Sequence, residues 1–286
     1  MSLLTRLKMG LVLTKDSVLL IRHHPRLALF PIVSGIAGLV FLALFLGIAF
    51  GIARISPEGG VLVGLLVIYF GLTFISTFFT AGLVHQTRSA IGDGTVSLEA
   101  GLAAAWERKT PIAIWSIIAA TVGILINMIE SSDSRVARLF GAIFGVAWTL
   151  MTFFIVPVIV FERTSTKGMF KRSAGTFKET YGETPVSLIA IQLVSLAVAV
   201  PFVLVAFGLF STGIATVAIP ILLVGIGLSF IVTQTLQGVV KTSLYLYASE
   251  GIKPSEFDDV DFDDLARVQD RRGGVAGAHT TSGGWR

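Results

Sequence analysis

Apolar residues gather into six long runs separated by short polar stretches. The runs are 27–53, 61–84, 112–129, 139–161, 186–210 and 214–240, each near the roughly 20 residues an α-helix needs to cross a bilayer. Two of the gaps, Arg54 to Gly60 and Ser211 to Gly213, are very short. Helices joined so tightly must be antiparallel neighbours, so these gaps predict hairpins. Pro157, Pro201 and Pro220 lie inside runs. Each removes an amide donor and predicts a kink, with neighbouring helices covering the freed carbonyl.

A helical period of a different kind appears between the runs. In 3–22, Leu3, Leu7, Leu11, Val18 and Ile21 fall near one face, with Arg6, Lys8, Lys15 and Arg22 placed to reach headgroups. That pattern predicts a helix lying on a membrane. In 167–181, Phe170, Ala174, Phe177 and Tyr181 share a face while Lys171, Arg172, Lys178 and Glu179 fall elsewhere. In 97–109, Leu98, Leu102 and Ala105 share a face, and Ser97 stands as an N-cap after the Gly92-Asp93-Gly94 turn. The expected fold is all-α: a polytopic membrane protein of six transmembrane helices with short interfacial amphipathic helices. Residues 1–250 form the six-span membrane domain. From Pro254 the sequence turns acidic, then rich in Gly, Ser and Thr, so 254–286 is expected to be a disordered cytoplasmic tail.

Charge sets the orientation. Nineteen of the 22 Lys and Arg fall before the first run, in the two long loops, or from Lys241 onward; the other three are Arg54, Arg135 and Arg138. The positive-inside rule then puts both termini of a multi-pass membrane protein in the cytoplasm. Composition agrees: of 286 residues, 53% are hydrophobic and only 14% charged, and the mean hydropathy is +0.82. The pI near 9.5 does not point to nucleic acid, because the basic residues sit in loops rather than on one soluble domain. The absence of cysteine removes disulfides, thiolate metal sites and cysteine nucleophiles. The first run is too long, and starts too late, for the apolar core of a cleavable signal peptide.

The long loops resemble each other. Thr77-Phe78-Phe79 precedes Thr110-Pro111 much as Thr152-Phe153-Phe154 precedes Thr184-Pro185. Phe230-Ile231-Val232-Thr233 echoes Phe74-Ile75-Ser76-Thr77, with Gly238 placed as Gly82 is. The pattern suggests three units, each an amphipathic segment followed by a hairpin.

Chemistry is sparse. The middles of all six runs lack ionisable residues, which disfavours ion-coupled transport. Gln192, Gln234 and Gln237 are expected to make helix–helix hydrogen bonds. Gly47-x-x-x-Gly51 and Gly141-x-x-x-Gly145 offer small faces for close packing or dimerisation. His23, His24 and His85 lack metal-ligand spacing, and there is no Walker A motif, dinucleotide fingerprint or nucleophile elbow. No residue is therefore assigned to catalysis, a cofactor or a metal. The basic face of Lys167, Lys171, Arg172 and Lys178 is assigned to membrane-surface contact. It either enforces topology alone or also selects anionic lipid headgroups.

Several stretches together resemble a known family. They are Ala147-Trp148-Thr149-Leu150, Phe154-Ile155-Val156-Pro157-Val158, Phe161-Glu162, Lys171-Arg172-Ser173-Ala174 and Thr180-Tyr181-Gly182-Glu183. The chain resembles, over roughly residues 1–250, a family of uncharacterised prokaryotic multi-pass membrane proteins defined as a domain of unknown function. Trp115, Ala119–Gly123 and Phe30-Pro31 are similar to it too. Its best motif is Pro157-x-x-x-x-Glu162 followed by Arg172-Ser173. More loosely, the hairpin with its basic loop looks like membrane domains attached to some glycerophosphodiester phosphodiesterases. No catalytic portion of that enzyme is present in this chain, so no activity is carried over. The resemblance implies a helical plasma-membrane protein and transfers no catalytic residues.

The expected function is a non-enzymatic membrane protein that organises lipid or an assembly partner of unknown identity at the cytoplasmic face. The alternative is a transporter or channel for a neutral or amphiphilic solute, with the three prolines as breaks lining a cavity.

Overall fold

In hydrocarbon a backbone must satisfy its own polar groups, which long apolar runs do by forming helices. A computed structural model describes residues 14–53, 57–92, 94–180 and 184–251, and no strand occurs among them. The helices are α1 (14–23), α2 (Leu29–Ala53), α3 (Pro57–Ile91), α4 (Leu98–Glu107), α5 (Lys109–Glu130), α6 (Arg135–Met151), α7 (Ile155–Phe161), α8 (Thr166–Glu179), α9 (Thr184–Ser211) and α10 (Ala215–Glu250). A 3-10 turn, Pro25–Ala28, joins α1 to α2. Six helical stretches are long and apolar enough to cross a membrane. The predicted tail, 254–286, and most of the predicted surface helix before Thr14 lie outside the described residues.

The order is a short helix and then a hairpin, three times over: α1 with α2/α3, α4 with α5/α6, and α8 with α9/α10. Within each hairpin the two helices pack on each other, and α3 also packs on α4, α5, α7 and α10. The bundle thus has two unlike ends. The hairpin tips are at one end. At the other, which we term the base, α1, α4, α7 and α8 meet the ends of α3 and α10. Helix α10 has 36 residues and so is about 54 Å long at 1.5 Å per residue. A bilayer core of about 30 Å leaves its last turns free to build the base.

The hydrophobic core lies in the base. Leu20, Leu27, Phe30, Leu83, Ile112, Phe154, Ile159, Ile191, Val239 and Tyr245 are almost wholly enclosed by protein. Glycines permit the close crossings. A Cβ on Gly82 would stand 2.7 Å from Phe30 Cε1 and 3.1 Å from the Gly101 carbonyl oxygen. One on Gly101 would run into the same ring, and one on Gly238 would run into Leu83. The Phe30 ring is therefore clamped where α3 crosses α4, and Leu83 fills the hollow where α10 crosses α3. Gly141 and Gly145 face Ile129, Glu130 and Ile126 of the adjoining helix, closing the α5/α6 hairpin.

The fourth apolar run is broken rather than kinked. α6 stops at Met151 and α7 starts at Ile155, after a turn at 152–154. Pro157 explains this, since it has no N–H to give the Phe153 carbonyl a turn earlier; in the first turn of a new helix that loss is harmless. Aligning the two Thr-Phe-Phe segments, at Thr77 and Thr152, sharpens the point. Shifting the Thr-Phe-Phe register by 75 residues puts Pro157 on Gly82, and the third unit has Gly238 there. Glycine at that position leaves α3 and α10 continuous and admits a neighbour's side chain. Proline ends the helix. By contrast, Pro201 and Pro220 sit within unbroken α9 and α10.

Away from the base the helices present apolar side chains outward. Phe207 on α9 is 74% exposed and Phe140 on α6 is 66% exposed, whereas Phe30 and Phe154 are fully buried. Helices α9 and α10 are tied by hydroxyls. Thr233 Oγ1 donates to Ser195 Oγ at 2.7 Å, and Ser195 and Ser229 hydroxyls lie 2.6 Å apart. Short side chains make these bonds, in place of the expected Gln192, Gln234 and Gln237, because the two helices approach closely where Gly225 receives Phe202.

Candidate functional site

The break beside Pro157 leaves an amide without a helical acceptor, and α8 supplies one. The Phe154 N–H donates to Ser173 Oγ at 3.1 Å, in a fully buried position. The other amides of the turn are met locally: Thr152 bonds Trp148, Phe153 bonds Leu150 and Ile155 bonds Thr152. Ser173 thereby fixes α8 across the α6/α7 joint. Above it, Trp115 and Trp148 stack at 5.8 Å, and Phe170 of α8 packs on both at 5.9 and 5.8 Å.

Helix α8 starts at Ser165, whose hydroxyl accepts from the Gly168 N–H at 3.3 Å. Helix α4 starts in the same way, with Ser97 Oγ accepting from the Ala100 N–H at 3.4 Å. The buried line of α8 runs through Met169, Ser173, Thr176, Phe177 and Thr180, while Phe170 and Ala174 are half-buried. The apolar face predicted from Phe170, Ala174 and Phe177 is therefore turned by about a residue, because Ser173 is needed inward; Tyr181 lies outside the described residues. In α1, Thr14, Asp16 and Ser17 join Leu20 in the base, so one face of the described part of that helix is buried in protein, while Lys15, Arg22 and His23 are exposed.

The four predicted surface residues divide into two groups. Lys167, Lys171 and Lys178 are exposed and, spaced by four and seven, stand on one face opposite the buried line. Arg172 is held elsewhere. Its Nε donates to Glu162 Oε1 at 2.6 Å, and the Tyr245 hydroxyl of α10 donates to the same oxygen. The hydrogen bond to Glu162 raises the Arg172 pKa above its ordinary value, against a smaller opposing effect of burial. Phe161 stacks on Tyr245 at 5.8 Å, and the Arg88 guanidinium lies 5.2 Å above the Phe161 ring. Arg88 also grips Glu250 in a fork of two 2.7 Å hydrogen bonds. This network ties α3, α7, α8 and α10 together at the base.

The Pro157-x-x-x-x-Glu162 … Arg172-Ser173 motif is thus one local device. Proline breaks the helix, serine caps the opened amide, and arginine returns to the glutamate at the exit. The signal was present in the sequence; its meaning needed the fold. On the other side of α8, Lys241 extends over the Phe153 ring at 4.7 Å. Among the described residues no group of three or more His, Asp or Glu could hold a metal ion.

An open cleft of about 460 Å³ lies where the α4–α5 corner faces the α7–α8 loop. Glu107, Arg108, Thr110, Arg163, Thr164 and Thr166 supply its polar wall, and Pro111, Ile114 and Met169 its apolar one. Sequence reading missed it, because its two arginines stand 55 residues apart and only the fold brings them to one cavity.

Six apolar helices on a hydrogen-bonded base define a helical membrane protein. The chain belongs to a family of unknown function, DUF6159, whose model matches residues 59–255. No curated protein matches it.

Proposed function

We propose that this is a non-enzymatic multi-pass protein of the plasma membrane, with both termini cytoplasmic, that organises anionic lipid or an assembly partner beneath the inner leaflet. The observation that carries it is the division of labour on α8. One face is anchored by Ser173, Phe177 and the Arg172–Glu162 pair. The opposite face presents Lys167, Lys171 and Lys178. A rigid cationic face at the level of the inner headgroups attracts anionic lipid with about 1 kcal/mol per lysine. Arg172 serves to position that face. The solute-transport alternative gains no support from Pro157, since the break beside it is filled by Phe153 and Phe154 and closed by Ser173.

The test is reconstitution of the full chain into mixed phosphatidylglycerol–phosphatidylcholine vesicles, with analysis of the lipid shell retained on extraction. Changing Lys167, Lys171 and Lys178 together to Glu is expected to abolish the phosphatidylglycerol excess, since three lysines at about 1 kcal/mol each amount to about a hundredfold in affinity. An unchanged excess would end this reading.

A further inference from the structure

The cleft between the α4–α5 corner and the α7–α8 loop has no part in the network around Glu162. Neither Arg108 nor Arg163 makes an ion pair or side-chain hydrogen bond among the described residues, although both line the cavity. Arg108 is half-buried at the one-residue bend where α4 passes into α5, so its position is set by two helices. Thr110, Thr164 and Thr166 add hydroxyl groups to the same wall. The loop is brought close by Gly168: a Cβ there would collide with the Thr164 hydroxyl. Two guanidiniums against the single carboxylate of Glu107 leave one net positive charge, the complement of one phosphodiester. Guanidinium forks and hydroxyls are the donors that recognise phosphate oxygens.

The apolar wall shows what the phosphate belongs to. From Ile114 an exposed stripe runs up α5 through Ile117, Thr121, Leu125 and Met128, at helical spacing. Among these, Ile114 is both part of the cleft and the foot of the stripe. A ligand with its phosphate between the arginines would lay its tail along the stripe. A free phosphate would have no use for it.

We propose that this cleft is a specific phospholipid site, holding one phosphodiester headgroup between Arg108 and Arg163 with its acyl chains on the Ile114–Met128 face of α5. The site rests on the membrane placement of the base proposed above, but not on the lysine face of α8. Its volume suits a single headgroup.

Native mass spectrometry of the delipidated full chain, titrated with phosphatidylglycerol, tests it. The wild-type protein is expected to take up one lipid well before any others. Arg108→Ala with Arg163→Ala should weaken that first binding by about tenfold or more. Thr110→Glu should do the same while leaving the fold intact, because an acidic residue in the first turn of α5 suits the helix. The α8 triple Lys→Glu variant should keep the single bound lipid while losing the wider anionic excess, so the two proposals fail separately. Unchanged first-lipid binding in both cleft variants would overturn the site. Displacement of the lipid by inorganic phosphate at equal concentration would overturn its assignment to phospholipid.

Discussion

The base and the hairpin tips are made from similar residues and hold together in different ways. Phe30 and Phe207 are both phenylalanines on spanning helices; one is sealed by protein and the other is 74% exposed. At the base, glycines let helices cross closely, and the buried Phe154 amide finds a partner in the Ser173 hydroxyl. Towards the tips, the outer faces of the helices carry exposed apolar side chains, as Phe140 and Phe207 do. Lipid tails are as apolar as leucine, so burial against them adds little drive for helix association. The difference teaches that the bilayer supports the spans, while protein packing at the base sets how the three hairpins are arranged.

The largest break in this contrast is expected at Phe30. Phe30→Ala empties the ring between Gly82 and Gly101 and should cost about 3–5 kcal/mol, measured by chemical unfolding in micelles. Phe207→Ala, by the same measurement, should cost under about 1 kcal/mol, in the range of surface changes. Equal costs would dissolve the distinction between the two ends.

Next come the polar groups at the base. Ser173→Ala leaves the Phe154 N–H unpaired in a buried position, at about 1–3 kcal/mol. Ser195→Ala, in the partly buried α9/α10 seam, should cost about 1 kcal/mol or less. A double-mutant cycle of Glu162→Ala with Tyr245→Phe should show a coupling of about 1 kcal/mol, as for residues sharing one network. The smallest effect is expected at the partly exposed Arg88–Glu250 fork. Glu250→Gln should cost under about 1 kcal/mol, and the cost should shrink as salt is raised.

Much of the fold is legible in the sequence, because spans, hairpins and caps are local. The Ser97 cap follows from a hydroxyl residue before an apolar period, and the short gaps dictate antiparallel pairs. The limits are physical too. Hydropathy ends the second run at Val84 and the sixth at Val240, where His85 and Lys241 follow. The helices run on to Ile91 and Glu250 because protein, rather than lipid, covers those turns. The phase of α8 was misread because a serine counts as polar until an unpaired amide is found to need it. Arg172 was grouped with the lysines by charge, although Glu162, across the loop, decides its role. The cleft was invisible because Arg108 and Arg163 lie in separate loops, 55 residues apart, that only the fold brings together.

The central claim is that the base, with the lysine face of α8, lies at the cytoplasmic surface and the hairpin tips lie outside. The chain has no cysteine, so single cysteines report position cleanly. Ser132→Cys, between α5 and α6, and Lys171→Cys, on α8, can be challenged in intact cells with a membrane-impermeant maleimide. The account predicts labelling of the Ser132 variant in intact cells and of the Lys171 variant only after the membrane is opened. The reverse pattern would contradict it.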